Sequence, residues 1–138
     1  MVITDNVTLN TRGFGDMIDI TGEVALAVRE STLDGGSVTV FIPGATAGVT
    51  TIEYEPGLVF DFAALWERLV PQGPPYRHDS QWGDGNGFAH VRASLLGASL
   101  TVPFQHGQLL LGTWQQVVVV DFDNRPRQRR VVLQLIGE

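Results

Sequence analysis

The 138-residue chain contains neither cysteine nor lysine. Without cysteine the protein has no disulfide, no thiolate nucleophile and no cysteine-bound zinc or iron–sulfur cluster. Without lysine it cannot form a Schiff base or the lysine contact of a nucleotide phosphate loop. Arginine, backbone N–H groups or a metal must therefore hold any anion, and any metal site uses nitrogen and oxygen ligands.

Charged residues are few, and long apolar runs are absent. Charged residues make up 17% of the chain and its net charge is −6, and no apolar run approaches the roughly 20 residues of a membrane span. The first residues lack the pattern of a secretion signal, so we expect a cytoplasmic protein. The one basic cluster, Arg125 to Arg130, follows Asp121 and Asp123 and is typical of a solvated hairpin turn. We therefore expect neither a nucleic-acid nor a membrane partner.

A hydrophobic content of 43% is sufficient for one compact domain over residues 1–138. Alternating and β-branched segments predict strands at residues 2–10, 38–42, 47–53, 100–104, 109–111, 114–122 and 130–136. The run from Val117 to Val120 is typical of a central strand buried on both faces. The strands after residue 100 predict an antiparallel meander.

Three segments carry helix signals. The first has Thr21 as its expected N-cap and Asp34-Gly35-Gly36 as its expected end. The second begins at Pro56, and its apolar face is expected to comprise Leu58, Phe62, Leu65 and Leu69. The third begins after Asn86 and ends at Gly97. The sequence therefore predicts an α+β fold with a mixed or antiparallel sheet and two or three helices.

The glycine-rich segment from Tyr76 to His90 is the strongest candidate for a site, because it holds two of the three histidines. Imidazole and carboxylate groups bind metals or transfer protons near neutral pH. His78 and His90 are too far apart for one helical face, but they converge if the segment folds back. A nitrogen/oxygen metal site then needs one carboxylate more, from Glu53, Glu55, Asp79 or Asp84. Ordinary hydrogen-bonded histidines are the alternative interpretation.

Three other patterns have a functional and a structural interpretation each. Glu53 and Glu55 would point the same way in a strand, which suits acid–base chemistry, or they form a solvent-facing strand end. The small residues from Pro43 to Gly48 offer backbone N–H groups to a phosphate, or they simply connect two strands. Trp114 can stack on a flat heterocycle, or it belongs to the core or a subunit interface. His106 is interpreted as a turn residue.

Nine segments in this order resemble a known family. They are Thr46-Ala47 with Thr50 and Glu53, Trp66 to Pro71, Tyr76 to Asp79, Asp84-Gly85-Asn86, His90, Ala93 to Gly97, Ser99 to Pro103, Gly112 to Gln115 and Arg129 to Glu138. Together they resemble the YjbQ family, also designated UPF0047 and known as the secondary thiamine-phosphate synthase family. The resemblance covers nearly the whole chain.

The resemblance implies a compact α+β domain that forms a homotrimer, with sheets packed around the threefold axis. It implies a transferase that joins a hydroxymethylpyrimidine diphosphate to a thiazole phosphate, as its main reaction or as a side activity. His78 and His90 would hold a divalent metal, zinc or magnesium, or act as acid and base with Glu53. Arg77 would pair with phosphate. The remaining residues expected to bind ligand are Thr46, Asp79, Asp84, Asn86 and Trp114.

One departure from the family pattern affects these expectations. The family's third histidine lies in a His-Thr-Thr-Ala or His-Thr-Ser-Ala motif, where this chain reads Gly44-Ala45-Thr46-Ala47. Loss of one imidazole weakens a transition-metal site unless a carboxylate or a neighbouring subunit supplies a ligand. The alternative function is therefore a non-catalytic trimer that binds a metal or a small phosphorylated or heterocyclic ligand.

Overall fold

The computed structural model describes all residues from 1 to 138 and contains eight strands and four helices. In chain order these are β1 (Val2–Thr11), β2 (Asp16–Asp19), α1 (Thr21–Ser31), β3 (Gly35–Phe41), β4 (Ala47–Ile52), α2 (Pro56–Leu69), α3 (Arg77–Trp82), α4 (Gly87–Leu96), β5 (Ser99–Gln105), β6 (Gln108–Leu109), β7 (Gln116–Asp121) and β8 (Arg127–Gly137). Every strand pair is antiparallel. The α+β prediction is confirmed. No helix is both long enough and apolar enough to cross a bilayer.

The strands form two sheets, with orders β1-β8-β3-β5-β6 and β2-β7-β4. The larger core lies between the two sheets and includes one face of α1. The smaller core lies on the other face of the three-stranded sheet, under α2 and α4. The predicted meander is wrong in its connectivity, because β7 joins the three-stranded sheet whereas β6 and β8 belong to the five-stranded one.

Strand β7 separates the two cores. Val117 and Val119 face the larger core, whereas Val118 and Val120 face the smaller one. All four side chains are 0% exposed. The prediction that this apolar run is a central strand buried on both faces is confirmed, and the strand provides a rigid support for the residues that follow it.

Helix α1 begins one residue earlier than expected and ends sooner. Thr21 is its first residue rather than its N-cap, and its N–H and hydroxyl donate to Asp19 Oδ1 at 3.0 and 2.7 Å. The helix ends at Ser31, after which Thr32 adopts the left-handed conformation with φ 60°. Gly36 belongs to β3 instead of ending the helix. A Cβ on Gly36 would lie 2.1 Å from the Ile136 carbonyl oxygen, so the close approach of β8 requires glycine.

Helix α2 begins at Pro56 as predicted, and Phe62 of the predicted face packs on the smaller core, but the centre of the buried face is different. Trp66 is the buried residue of this helix, and Leu69 is 58% exposed. The Trp66 ring meets the edge of Phe122 at a centroid distance of 4.9 Å. The register shifts because the bulky indole, rather than the leucine stripe, fills the space beside β7.

The segment that contains the histidines was expected to be a loop, but part of it is helical. Residues Arg77–Trp82 form α3, which ends at Gly83 with φ 73°. Helix α4 then runs from Gly87 to Leu96, flanked by Asn86 and Gly97 as predicted. His78 therefore lies on one helix and His90 on the next.

A tight loop after β1 holds the end of β7 in place. Gly13, Phe14 and Gly15 all have positive φ angles, of 76°, 56° and 85°. The N–H groups of Phe14 and Gly15 donate to the carbonyl oxygens of Asp123 and Asp121, both at 2.7 Å. A Cβ on Gly13 would lie 2.7 Å from the Asp123 carbonyl oxygen, so this contact requires glycine. The loop fixes the backbone that carries the two aspartates.

Candidate functional site

Helices α3 and α4 bring the two histidines together. The ring centroids of His78 and His90 lie 4.3 Å apart with an interplanar angle of 38°. Asp79 Oδ1 accepts the N–H of Gly87 at 2.8 Å and ties α3 to the start of α4. A Cβ on Gly87 would lie 2.7 Å from Cβ of Tyr76, so glycine permits the close approach. The segment folds back as the histidine spacing required.

Two carboxylates face the same nitrogen of His78. Its Nδ1 lies 3.2 Å from Asp79 Oδ1 and 3.5 Å from Asp84 Oδ1. The three potential ligand atoms are all within 4.8 Å of one another. One imidazole with two carboxylates is a donor set that suits zinc or magnesium, and it is also a proton-transfer group oriented by carboxylates. The residues present therefore fit a divalent cation, with Asp79 and Asp84 beside His78.

A buried network of two aspartates lies beneath this cluster. Asp121 and Asp123, at the end of β7, are both 0% exposed. Arg129 donates to both oxygens of Asp121, at 2.8 and 3.0 Å, and Thr11 donates to Asp121 at 2.6 Å. Arg127 Nε donates to Asp123 Oδ2 at 2.8 Å. Buried charges are stable when paired and hydrogen-bonded in this way.

The same network holds two residues expected to bind ligand. Thr46 and Asn86 are both buried, and each donates to an oxygen of Asp123 at 3.1 Å. Thr46 also accepts from Arg129 at 2.7 Å. The Asn86 side chain does not cap α4, and its Oδ1 is buried without a partner. Within this chain, Thr46 and Asn86 thus contact the aspartate network that supports the histidines.

The charge on Asp123 is favoured by its hydrogen bonds. Burial acts to raise the pKa of Asp123, but the hydrogen bonds from Asn86, the Asn124 N–H, Arg127 and Thr46 outweigh that effect. The pKa therefore lies below its ordinary value, and Asp123 is ionised at neutral pH. The network is a fixed negative charge paired with arginine.

Sequence reasoning missed this network by interpreting the arginine cluster as a solvated hairpin. Only part of the cluster is solvated, since Arg125 and Arg130 are exposed whereas Arg127 and Arg129 turn inward. The spacing of the aspartates and arginines in the sequence did indicate this network. Asp121 and Asp123 share one side of an extended chain, as do Arg127 and Arg129, so two alternating pairs of opposite charge can face each other.

Glu53 and Trp114 lie away from the histidines. Both are at the end of the three-stranded sheet where Ile52 pairs with Gln116. The aspartate network is at the other end of β7, and a six-residue strand spans roughly 17 Å. Trp114 precedes β7 in a turn and is 72% exposed. One chain by itself therefore does not bring these two residues to the histidine cluster.

The interpretation in which Glu53 and Glu55 point the same way in a strand is wrong, because β4 ends at Ile52, and both side chains face solvent as the alternative interpretation has it. Instead, the Glu55 carboxylate caps α2 and accepts the N–H groups of Gly57 and Leu58, both at 2.8 Å. These two bonds lower the pKa of Glu55. Glu55 therefore has a structural role in this chain.

Two remaining residues have simple environments. Arg77 begins α3 and is exposed, and its guanidinium has no partner within the chain. His106 lies in the turn between β5 and β6 as predicted, with φ 53° and its Nδ1 3.4 Å from Asp34 Oδ1. Neither side chain contacts the histidine pair.

A cavity of about 300 Å³ borders His90 on the side of the missing family histidine. Gly44, Ala45 and Ala47 form one wall, and His90 and Ala93 belong to α4 opposite. Gly44 has φ 119°, and a Cβ there would lie 3.0 Å from Arg129 Nη1. Gly44, Ala45 and Ala47 therefore present no ligating side chain on this side of His90. A larger cavity of about 600 Å³, beside Met1 and Glu138, does not border the cluster.

The fold and this cluster together define a class: a small antiparallel α+β protein with a histidine–carboxylate cluster at two consecutive helices. The family model described as "UPF0047 protein YjbQ-like" matches residues 5–138. The chain belongs to this UPF0047/YjbQ family.

Relatives and solved structures agree with the assignment. The chain is 40% identical over 130 residues to a UPF0047 protein of Archaeoglobus fulgidus, covering 94% of this chain and 98% of the relative. It is 33% identical over 124 residues to the UPF0047 protein YugU of Bacillus subtilis, covering 88% and 90%. The structure of a "YbjQ-like protein of unknown function" from Sulfolobus solfataricus superimposes with a TM-score of 0.95 at 28% identity, covering 100% and 99% of the two chains.

Proposed function

We propose that this protein is a small-molecule transferase of the thiamine-phosphate synthase type, with its reacting centre at the histidine cluster of His78, His90, Asp79 and Asp84. One observation carries the proposal. The two imidazole rings lie 4.3 Å apart, and two carboxylates lie within 3.5 Å of His78 Nδ1. Imidazole and carboxylate groups that face each other in this way are typical of acid–base or cation-binding sites.

The reaction breaks one bond and forms one. The ring nitrogen of the thiazole phosphate bonds to the methylene carbon of the pyrimidine diphosphate. The carbon–oxygen bond to the diphosphate breaks, and pyrophosphate leaves with the electron pair, so no oxidant or reductant is needed. Without a cation, a protonated His78 or His90 donates a proton to the departing oxygen, and Asp79 and Asp84 orient His78. Alternatively, a divalent cation held by neutral His78 and these carboxylates would neutralise charge on the diphosphate, and His90 would then be the proton donor.

The assembly that we propose is a homotrimer, in which neighbouring copies complete the site. Glu53 and Trp114 lie at the far end of β7 from the histidines of their own chain. They contribute a carboxylate and a stacking surface only if another copy presents them. Sedimentation equilibrium tests this part, because a monomer at micromolar concentration would rule out these two roles.

The cavity between Gly44 and His90 favours a second function. The cavity beside His90 is lined on that side by small residues without ligand atoms in their side chains. A non-catalytic trimer that binds a small phosphorylated or heterocyclic molecule would use such space without a third imidazole. His78 and His90 would then be hydrogen-bond partners of the ligand.

The experiment combines metal analysis with an activity assay on untagged protein. His78→Ala and His90→Ala are compared with His106→Ala, a matched control in an exposed turn. We expect about one divalent metal per chain, and formation of thiamine phosphate from the two substrates by wild type and by His106→Ala only. Thermal unfolding by circular dichroism verifies that the variants remain folded.

The outcomes separate the two functions. Metal binding and product formation that are lost together in the two site variants support the transferase. Folded wild-type protein that binds the phosphorylated substrates but makes no product supports the binding protein. If the His78 and His90 variants behave like His106→Ala in every measurement, the histidine cluster is not the site.

A further inference from the structure

A second cavity, separate from the one beside Gly44, borders the histidine cluster at Asp84. Its volume is about 310 Å³, and it is lined by Asp84, Asn86, Asn124, Arg125 and Arg127. None of the five side chains is hydrophobic. The volume is at the lower end of the range of about 300–1,000 Å³ found for small-molecule sites. A flat apolar ring has no complementary surface here, whereas a polar or charged group does.

Two arginines give this cavity its donors. Arg127 uses Nε and one terminal nitrogen on Asp123, at 2.8 and 2.7 Å, and its other terminal nitrogen has no partner in the chain. The Arg125 guanidinium forms no hydrogen bond or ion pair with any group of the chain. Guanidinium groups bind the oxygens of phosphate with paired, charge-assisted hydrogen bonds. The ion pair with Asp123 holds Arg127 at the cavity wall.

Asp84 connects the cavity to the reacting centre. Its carboxylate is 3.5 Å from His78 Nδ1, and the residue also lines the cavity. Asn124 fixes this wall, because its side-chain nitrogen donates to the Asp84 carbonyl oxygen at 2.8 Å. A group in the cavity is thus separated from His78 by one side chain. Arg77, which was expected to pair with phosphate, does not line this cavity.

We propose that the cavity between Asp84 and Arg125 binds the phosphate or diphosphate group of a small phosphorylated ligand, with Arg125 and Arg127 as the anion-binding residues. The proposal rests on the proposed function, since it names the subsite next to the same histidine cluster. In this proposal the principal phosphate contact is Arg125, whereas the sequence resemblance implied Arg77. The ligand is a small molecule, because the cavity has a volume of only about 310 Å³ and the chain is acidic.

The carboxylate of Asp84 affects which ions can bind together in this cavity. An anion beside an ionised aspartate is repelled unless a cation compensates the charge. A divalent cation at His78, Asp79 and Asp84 would satisfy that condition, because such cations commonly bind one or two carboxylates together with ligand phosphates. Cation and anion should therefore strengthen each other's binding by the same factor.

Calorimetric titration tests the subsite with inorganic pyrophosphate, orthophosphate and sulfate as probes, each with and without Mg²⁺. Arg125→Gln is the principal variant, and Asp84→Asn tests the link to the cation. Arg77→Gln tests the rival contact, and Arg130→Gln is the matched control, since Arg130 is exposed on β8. Mg²⁺ or Mn²⁺ binding is measured separately in each variant, so that the cation site is assessed without an anion.

We expect pyrophosphate to bind more tightly with Mg²⁺, and Arg125→Gln to weaken it about tenfold, as for the loss of one charge-assisted contact. Asp84→Asn should abolish the Mg²⁺ enhancement, and Arg77→Gln and Arg130→Gln should bind like wild type. If orthophosphate binds as tightly as pyrophosphate, the cavity is a phosphomonoester subsite. If orthophosphate binds more weakly, the cavity is a diphosphate subsite. Both results support the proposal.

Three results would overturn it. Cation binding without any pyrophosphate binding would refute the anion subsite and leave the proposed function intact. A tenfold loss of pyrophosphate affinity in Arg77→Gln, together with unchanged affinity in Arg125→Gln, would place the anion elsewhere. Sulfate or a short single-stranded oligonucleotide that binds as tightly as pyrophosphate and loses affinity in Arg125→Gln would show a general basic surface. Absence of both cation and anion binding would instead refute the proposed function.

Discussion

Substitution of Asp123 should be strongly destabilising. In Asp123→Ala the buried Asn86 amide loses its acceptor, Thr46 loses one of its two hydrogen bonds, and Arg127 loses its ion-pair partner. The unpaired amide costs about 1–3 kcal/mol, and each of the other losses costs about 0.5–1.5 kcal/mol because Arg127 is partly solvated. We therefore expect a decrease of about 2–6 kcal/mol in the free energy of unfolding, against a typical total of about 5–15 kcal/mol.

Urea unfolding followed by tryptophan fluorescence measures this change at pH 7. Asp34→Ala is the control, because Asp34 is exposed and its only side-chain partner is His106; its effect should stay within about 0.5 kcal/mol. A loss below about 1 kcal/mol in Asp123→Ala would contradict the reasoning, since it would mean that the network does not depend on this carboxylate.

The pH dependence gives a second test of Asp123. Its pKa is lowered in the folded protein, relative to about 3.9 in an unfolded chain. The stabilisation from its ionised form is therefore complete above the unfolded pKa and is lost as the pH falls through the folded pKa. The stability difference between wild type and Asp123→Ala should be largest at neutral pH and should shrink below about pH 4. A difference that grows with acid would refute the assignment.

Three further substitutions test other parts of the fold. Val119→Ala removes two methyl groups from a fully buried side chain and should cost about 2–3 kcal/mol in urea unfolding. Glu55→Gln should lower the melting temperature at pH 7, and this effect should diminish as the pH falls below about 4.5, because two helix N–H groups lower the pKa of Glu55 from 4.5 and its charge is lost as the pH falls through that lowered pKa. Gly87→Ala places a Cβ 2.7 Å from that of Tyr76; it should separate α3 from α4 and weaken divalent-cation binding, whereas Gly73→Ala, which has open space, should not.

The sequence predicts strands well where local chemistry dominates. The β-branched run of β3 and the four valines of β7 leave little alternative to extended chain, and both strands lie where they were expected. Helix α4 was bounded correctly by Asn86 and Gly97. Two elements were missed. The four-residue β2 is stabilised by pairing with β7, and the six-residue α3 is too short to be stable alone, so both depend on distant partners.

The candidate site was only partly accessible from the sequence, because much of it depends on pairing between strands. The approach of His78 to His90 required only that one segment fold back on itself. The burial of Asp121 and Asp123 depends instead on arginines from β8, and a charged residue in a sequence does not reveal whether its partner is solvent or guanidinium. Glu53 and Trp114 were grouped with the histidines although β4 and β7 place them at the opposite end of the sheet.

The pairing order of the strands has a consequence for the synthesis of this protein. Strand β7 lies between β2 and β4, and β8 lies between β1 and β3. The strands that join each sheet are thus made last, and β1, β2 and β4 have no pairing partner until the ribosome has passed residue 115. A nascent chain before that point exposes unpaired strand edges, and the valine run that follows has the composition of an aggregation-prone segment. Chaperone demand should therefore persist through translation until β7 and β8 have been made.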